Sequence, residues 1–366
     1  MSVLAASFLI SLVVIFLIVR YGHIHGRFTA DSDIAGVQKF HSTPVPRIGG
    51  LGIFLGLSVA FFIRYFQSAE VGSFGLWLLV CCLPAFIFGF AEDLTKCVGV
   101  KVRLLATITS AVLAGYLLSG WLTSVQLLGI DNLILAYPFV AVAITCFAVA
   151  GVSNAFNIID GYNGLSSMVA VIISGGIAYV AFQVGDTPVM IAAIALIGAL
   201  AGFLVWNFPR GLIFLGDGGA YLIGFWIAEL SVLLTARHSE VSKWFPLLLC
   251  MYPIFETIFT IYRRVILKRV HPGMPDGSHL HQLIYRRIVR LSDDAEDIKG
   301  KVYRNSMTSP YLWLLCLLAA IPAVLFWRSH IILKVFCLIF AVTYIWIYWA
   351  IVRYQTPKYF IYRNDD

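Results

Sequence analysis

Eleven apolar runs, each close to twenty residues long and nearly free of charge, follow one another along this chain. They fall at about 2–19, 48–66, 73–90, 104–122, 133–152, 165–184, 189–206, 218–236, 244–262, 311–327 and 331–352. Crossing the hydrocarbon core of a bilayer as helix takes roughly 20 apolar residues. Lipid offers nothing to an open backbone N–H or C=O, so a crossing segment must be a helix or part of a closed barrel. The runs lack the period-2 alternation of barrel strands. A chain that is 60% hydrophobic and 12% charged is also no soluble domain, since those carry about 25% charged residues. The expected fold is an all-α integral membrane protein: a polytopic bundle of about 11 transmembrane helices forming a single membrane domain over residues 1–366.

The basic residues orient this bundle. Of the 26 Lys and Arg, 21 lie in the C-terminal tail or in connections after odd-numbered runs, and the other side holds Arg64, Arg237, Lys243, Arg328 and Lys334. Basic loops stay in the cytoplasm, so the N-terminus is expected outside and the C-terminus inside. The net charge of +7 is then chiefly a topology signal, with attraction to anionic lipid or phosphate as a secondary reading. Nucleic acid is not an expected partner, because no soluble basic domain is present to hold it. The first run has no basic n-region and no clear small-residue cleavage site, so it reads as a spanning helix rather than a signal peptide. Six of the seven cysteines lie in apolar runs, and no CxxC pair occurs, so all seven read as packing residues.

Polar groups punctuate the runs at consistent places. Glu92-Asp93, the segment Asn154 to Asn163, Gly216-Asp217-Gly218 and the segment Asp276 to His281 follow the third, fifth, seventh and ninth runs. A weaving chain delivers all of them to one membrane face, which the basic asymmetry makes cytoplasmic. The loops expected to build a site there are about 20–47, 91–103, 153–164, 207–217 and 263–310.

Each motif has a plain reading beside the functional one. Adjacent carboxylates such as Glu92-Asp93 repel and call for a cation. Oxygen ligands suit Mg²⁺, which binds through one or two carboxylates plus substrate phosphates; read alone, the pair is equally a solvated helix end near Lys96, Lys101 and Arg103. Asp217 stands among Gly216, Gly218 and Gly219 at a helix start, where free N–H groups can meet phosphate oxygens, although an ordinary Asp cap has the same pattern. Asn154, Asn157 and Asp160 are three apart and share one helix face; such a seam beside lipid needs a polar ligand or a partner helix. His279 and His281 lack further neighbours for a zinc set and, with Arg286, Arg287 and Arg290 close by, suit phosphate chemistry or an ordinary loop. His281 to Leu291 can form a short amphipathic helix on the membrane surface. Lys39 and His41 sit in a proline-stiffened basic loop that can meet phosphates or merely enforce topology. Glu256 lies two turns before Arg263-Arg264 and could partner the site from behind.

With these residues in view, the chain resembles the polyprenyl-phosphate N-acetylhexosamine-1-phosphate transferase family, integral-membrane enzymes that begin bacterial cell-envelope glycans. PRIGG (46–50), GFAED (89–93), NAFNIIDGYNG (154–164), FLGDGG (214–219) and DGSHLH (276–281) keep the family's order. Any one is weak, whereas five in order on one face are specific. Length and layout are closest to the undecaprenyl-phosphate GlcNAc-1-phosphate branch, and His-Leu-His-Gln replaces the run of adjacent histidines usual in the peptidoglycan branch.

The resemblance implies transfer of an N-acetylhexosamine-1-phosphate from a UDP-sugar to undecaprenyl phosphate at the inner membrane, with Mg²⁺ or Mn²⁺, initiating O-antigen or a related polymer. It leaves a homodimer open. By position it makes Asp217 a metal ligand, with Asp93 beside it, and gives Glu92 and Asp93 to prenyl-phosphate handling and catalysis. Asp160 and Asn157 fall in the nucleotide-sugar site. Lys96, Asn163, Asn207 and Phe214 fall where the family builds its uracil pocket, with Lys39 and His41 as further substrate contacts. His279 and His281 match the histidine motif near the sugar diphosphate. Glu92 stands for the family's first aspartate, and Asn163 for the second aspartate of DGxDG, which keeps hydrogen bonding but removes a charge; a nucleotide-binding role for Asn163 survives that change. A multi-pass transporter or flippase is the alternative class, although no internal repeat is visible. An intramembrane prenyltransferase would carry aspartate-rich motifs that this chain lacks.

Overall fold

The computed structural model describes residues 2–31, 45–267, 277–289 and 298–353. Its regular structure is helical apart from a two-residue antiparallel pairing of β1 (Ala30–Asp31) with β2 (Val45–Pro46). The helices are α1 (Ser2–Arg20), α2 (Gly22–Thr29), α3 (Gly49–Gln67), α4 (Ala69–Thr95), α5 (Val100–Leu117), α6 (Ile130–Ala136), α7 (Pro138–Ile159), α8 (Leu165–Gln183), α9 (Thr187–Asn207), α10 (Gly216–Arg237), α11 (Trp244–Leu249), α12 (Met251–Tyr262), α13 (Leu280–Arg287), α14 (Ile298–Leu325) and α15 (His330–Val352). Ten helices among the described residues are long and apolar enough to cross a membrane: α1, α3, α4, α5, α7, α8, α9, α10, α14 and α15. The protein is a multi-pass membrane bundle.

The ninth expected run, 244–262, is broken into α11 and α12 at Cys250. Pro253 has no N–H to offer the Leu249 carbonyl, and its ring crowds that carbonyl, which favours a break there. A π-helical turn, Arg263–Leu267, continues α12. Other runs differ at their ends. The fourth stops at Leu117, and Ser119 takes a positive φ of 58°. The fifth starts at Pro138, whose missing N–H is harmless in a first turn. The tenth begins at Ile298 rather than near 311, so α14 extends about three turns into polar sequence.

Helix α10 is the axis of the bundle. In α10, 94% of the crossing window is buried, against 28% in α1 and in α15. It packs against α3, α4, α5, α7, α8 and α9. Such crowding needs small residues at the contacts. Gly50 of α3 and Gly219 of α10 meet backbone to backbone, where a side chain on either would collide.

One buried carboxylate lies inside this axis. Glu229 is 0% exposed, and neither of its oxygens has a hydrogen-bond partner among the described residues. A buried polar group without a partner costs about 1–3 kcal/mol. Glu229→Leu, close to it in volume, is therefore expected to raise the denaturation midpoint in detergent by a corresponding amount. A lowered midpoint would show that Glu229 has a polar partner in the membrane.

Candidate active site

Five helix termini meet at one end of the bundle. The C-terminal turn of α4 brings Glu92 and Asp93, α7 brings Asn154 and Asn157, and α10 starts with Gly216-Asp217. Arg47 precedes α3, and Arg103 lies in the first turn of α5. Asp93 does an unusual job for a residue so distant in sequence. Its Oδ1 accepts from the Asp217 N–H (2.8 Å) and its Oδ2 from the Gly218 N–H (2.9 Å). The residue before α10, Leu215, has no side chain to cap these groups. Asp93 supplies the cap, and its charge also suits the positive end of the helix dipole. The left-handed φ of 76° at Gly216 and the press of Arg47's carbonyl leave no room for a Cβ at this entry.

Asp217 is surrounded by donors. Asn157 Nδ2 donates to its Oδ1 at 2.9 Å, Arg47 Nη2 lies 3.5 Å from the same oxygen, and Arg103 pairs with Oδ2. Arg47 Nη2 is also 3.8 Å from Asp93 Oδ1. The Arg103 guanidinium lies 5.6 Å from the Tyr221 ring centroid, and Tyr221 donates its O–H to Asn154 Oδ1 (3.3 Å). The Asp93 side chain is 1% exposed, while Asp217 (14%) and Arg47 (25%) open toward solvent. An anion entering here meets two guanidiniums at once.

Among the described residues no group of three His, Cys, Asp or Glu side chains forms an all-protein metal cage. Mg²⁺ does not require one, because one or two carboxylates plus substrate phosphates suffice. The oxygen set of Asp217 and Asn157 fits that arrangement, with Asp93 behind it committed to backbone N–H groups.

Asp160 lies just beyond α7, and its Oδ1 accepts from Ser166 Oγ at 2.5 Å. Desolvation among packed atoms pushes its pKa up to about 6, offset in part by the Ser166 bond and by Arg47. The His281 ring stands 5.5 Å from the Tyr162 ring, beside Gly161, and 5.0 Å from the nearly parallel His279 ring. The histidines thus meet the Asp160 turn through α13, which forms where a short amphipathic helix is expected.

The remaining expected residues are dispersed. Glu92 Oε2 accepts from the Val98 N–H (2.6 Å), closing the loop after α4. Lys96 caps that helix in the left-handed conformation and is exposed. Buried Asn207 accepts from the Gly164 N–H (2.6 Å) and donates to the Ile213 carbonyl (2.7 Å). Phe214 joins the α10 entry to α3, its N–H donating to Pro46 and its carbonyl accepting from Gly49. Lys39 and His41 lie outside the described residues, as do Asp276 and the acidic cluster 293–297.

Asn163 is 4% exposed and faces α14. Its Nδ2 donates to the Pro209 carbonyl (3.1 Å) and to Ser306 Oγ (3.3 Å), its N–H donates to Asn305 Oδ1 (2.8 Å), and its carbonyl accepts from Ser309 Oγ (2.6 Å). An aspartate could not donate to the Pro209 carbonyl and would set a charge against it. Asn163→Asp is therefore expected to destabilise the protein by about 1–3 kcal/mol, measured as a lowered denaturation midpoint. An unchanged midpoint would mean that the amide is not needed as a donor.

Sequence reasoning missed Arg103 as part of the site and left Arg47 among loop charges. A signal existed for Arg103: it stands one residue before the fourth apolar run, where a guanidinium either reaches water or pairs with an anion.

A buried carboxylate cap, a partly open carboxylate and two guanidiniums stand together at one end of a membrane bundle, an arrangement with the charge to meet anionic groups beside lipid. The profile of glycosyl transferase family 4 matches residues 75–235. A protein of Bacillus subtilis (strain 168) named "Probable undecaprenyl-phosphate N-acetylglucosaminyl 1-phosphate transferase" is 30% identical over 251 residues, 67% of this chain and 66% of that protein. Two proteins named "Undecaprenyl-phosphate alpha-N-acetylglucosaminyl 1-phosphate transferase" are also similar. That of Escherichia coli (strain K12) is 28% identical over 262 residues, covering 69% of each chain. That of Thermotoga maritima is 27% identical over 253 residues, 69% of this chain and 72% of that one. The chain belongs to glycosyl transferase family 4, and its match spans about two thirds of the length of these relatives.

Proposed function

We propose that this protein transfers an N-acetylhexosamine-1-phosphate, GlcNAc-1-phosphate in the first instance, from the UDP-sugar to undecaprenyl phosphate. The observation that carries this reading is the convergence of Arg47 and Arg103 on Asp217 at the end of a membrane bundle. An oxygen of the lipid phosphate bonds to the sugar-bearing phosphorus of the donor. The bond from that phosphorus to the bridging oxygen breaks, and UMP leaves with the electron pair. Two anions must approach, so the site must offset repulsion and the charge that develops on the leaving phosphate.

Arg47 and Arg103 supply fixed positive charge where the phosphates meet. Asp93 holds the α10 entry, and so the Asp217 carboxylate, in register. His279 and His281 face the sugar diphosphate from the Asp160 side. A divalent cation, Mg²⁺ or Mn²⁺, would be held by Asp217 and Asn157 with substrate oxygens and would supply further charge neutralisation. We place this end of the bundle in the cytoplasm of a bacterial inner membrane, because 21 of 26 basic residues lie on its side, and we place the reaction at the start of O-antigen or a related polysaccharide.

The test is a panel of labelled UDP-sugars incubated with purified protein, undecaprenyl phosphate and Mg²⁺, followed by organic extraction. Label from UDP-GlcNAc should enter the lipid phase. Label that crosses sealed vesicles without entering lipid would favour the transporter instead.

A further inference from the structure

Beside the histidines lies a buried carboxylate that the reaction above does not use. Glu256 of α12 is 0% exposed. Its Oε1 lies 3.0 Å from His279 Nδ1 and accepts from the Leu280 N–H at 3.2 Å. Its Oε2 accepts from the Tyr344 O–H of α15 at 2.6 Å. The Thr260 hydroxyl lies 3.2 Å from the same imidazole nitrogen, and Gln282 Oε1 accepts from the His279 N–H at 3.1 Å. Around the cluster stand Tyr252 and Arg263 from α12 and its π-turn, Tyr348 from α15, and His281.

We infer that Glu256 is a positioning residue. It fixes the rotamer and tautomer of His279, with the proton on Nδ1, so that the ring presents Nε2 and holds its stack with His281 beside the Asp160 turn. A carboxylate that holds one imidazole nitrogen determines what the other can do. The arrangement lies just past the break in the ninth run. Glu256 lies just past Pro253 on α12, Tyr344 anchors it from the last helix, and the imidazole arrives from the cap of the short helix α13. Three elements far apart in sequence are tied at a single carboxylate, which is more than α13 packing alone requires. The inference rests on the proposed transfer for its kinetic readout but not for its structural one.

The pattern of bonds offers a clean separation of orientation from charge. Both N–H contacts fall on Oε1, and only the Tyr344 hydroxyl meets Oε2. In Glu256→Gln the amide oxygen can keep Oε1's place, while the NH₂ donates to a Tyr344 hydroxyl that turns round to accept. Geometry survives and charge is lost. Glu256→Leu removes both.

The experiment uses the full-length protein with three variants: Glu256→Gln, Glu256→Leu and Tyr344→Phe. Steady-state UMP release is measured against UDP-GlcNAc concentration, with denaturation midpoints taken alongside. Glu256→Gln should keep kcat within about threefold, and Glu256→Leu should lose at least about tenfold in kcat, more than its change in KM. Tyr344→Phe, which frees one carboxylate oxygen, should fall between them and serves if the leucine variant does not fold. In parallel, nitrogen-15 NMR of labelled histidine, assigned by a His279→Asn control, should show Nδ1 protonated in the unaltered protein and in Glu256→Gln but not in Glu256→Leu. Equal kcat losses in Glu256→Gln and Glu256→Leu would overturn the inference, as would wild-type kcat in Glu256→Leu or a proton on Nε2 in the unaltered protein. An unaltered protein that releases no UMP from any donor would instead defeat the proposed transfer, leaving the NMR result to decide this inference.

Discussion

Asp217→Asn is expected to abolish UMP release, a loss of at least about a thousandfold and so roughly 4 kcal/mol of barrier, in a protein that still inserts and folds. Asparagine keeps an oxygen for the Asn157 amide and Arg47, so the contacts between α7, α10 and the segment before α3 persist in neutral form. Its NH₂ replaces the Oδ2 that Arg103 of α5 pairs with, and that contact is lost. What disappears is the one open negative charge among Arg47, Arg103 and the substrate phosphates. In the proposed transfer that charge holds a divalent cation and fixes the two guanidiniums where the diphosphate arrives. UMP release and the denaturation midpoint should be measured on the same preparation. Turnover near the unaltered rate at limiting Mg²⁺ would remove Asp217 from the reaction.

Asp93→Asn should behave differently. Both Asp93 oxygens accept backbone N–H groups from the first turn of α10. Asparagine must aim its NH₂ at one of them, which loses a charge-assisted bond and sets donor against donor. A stability loss of about 1–3 kcal/mol should accompany a fall in kcat of at least about tenfold, equivalent to roughly 1.4 kcal/mol of barrier. The two losses belong together because the cap of α10 also sets the position of Asp217. A variant that melts normally yet does not turn over would mean that Asp93 acts on substrate directly.

Much of this architecture is written in the runs themselves. A window of about twenty uncharged apolar residues has one physical outcome in a bilayer, and ten such windows are helices long enough to cross. The exception, 244–262, carried its own warning in Pro246 and Pro253. Hydropathy does not register a missing N–H, so the break was not predicted. The gathering of Asp93, Asn157 and Asp217 was also legible, because alternate runs return to the same face. Individual side-chain directions were not. Asn157 points at Asp217, while Asn163, six residues on, points into α14; the sequence motif contains both without distinguishing them. Glu92 and Asp93 are adjacent, yet one closes a loop and the other caps a helix more than 120 residues away. These outcomes depend on which backbone N–H groups the tertiary packing leaves open, information that no local spacing carries.

The most direct test of the central claim is UMP measured against lipid-linked sugar, in detergent, with purified protein, undecaprenyl phosphate, UDP-GlcNAc and Mg²⁺. If the Asp217 site carries out the transfer, one UMP appears for each sugar phosphate joined to lipid. Both should then vanish when undecaprenyl phosphate is omitted or when Asp217 is replaced by asparagine. UMP release that persists in Asp217→Asn, or an unaltered protein that yields no UMP from any UDP-amino sugar, would contradict it.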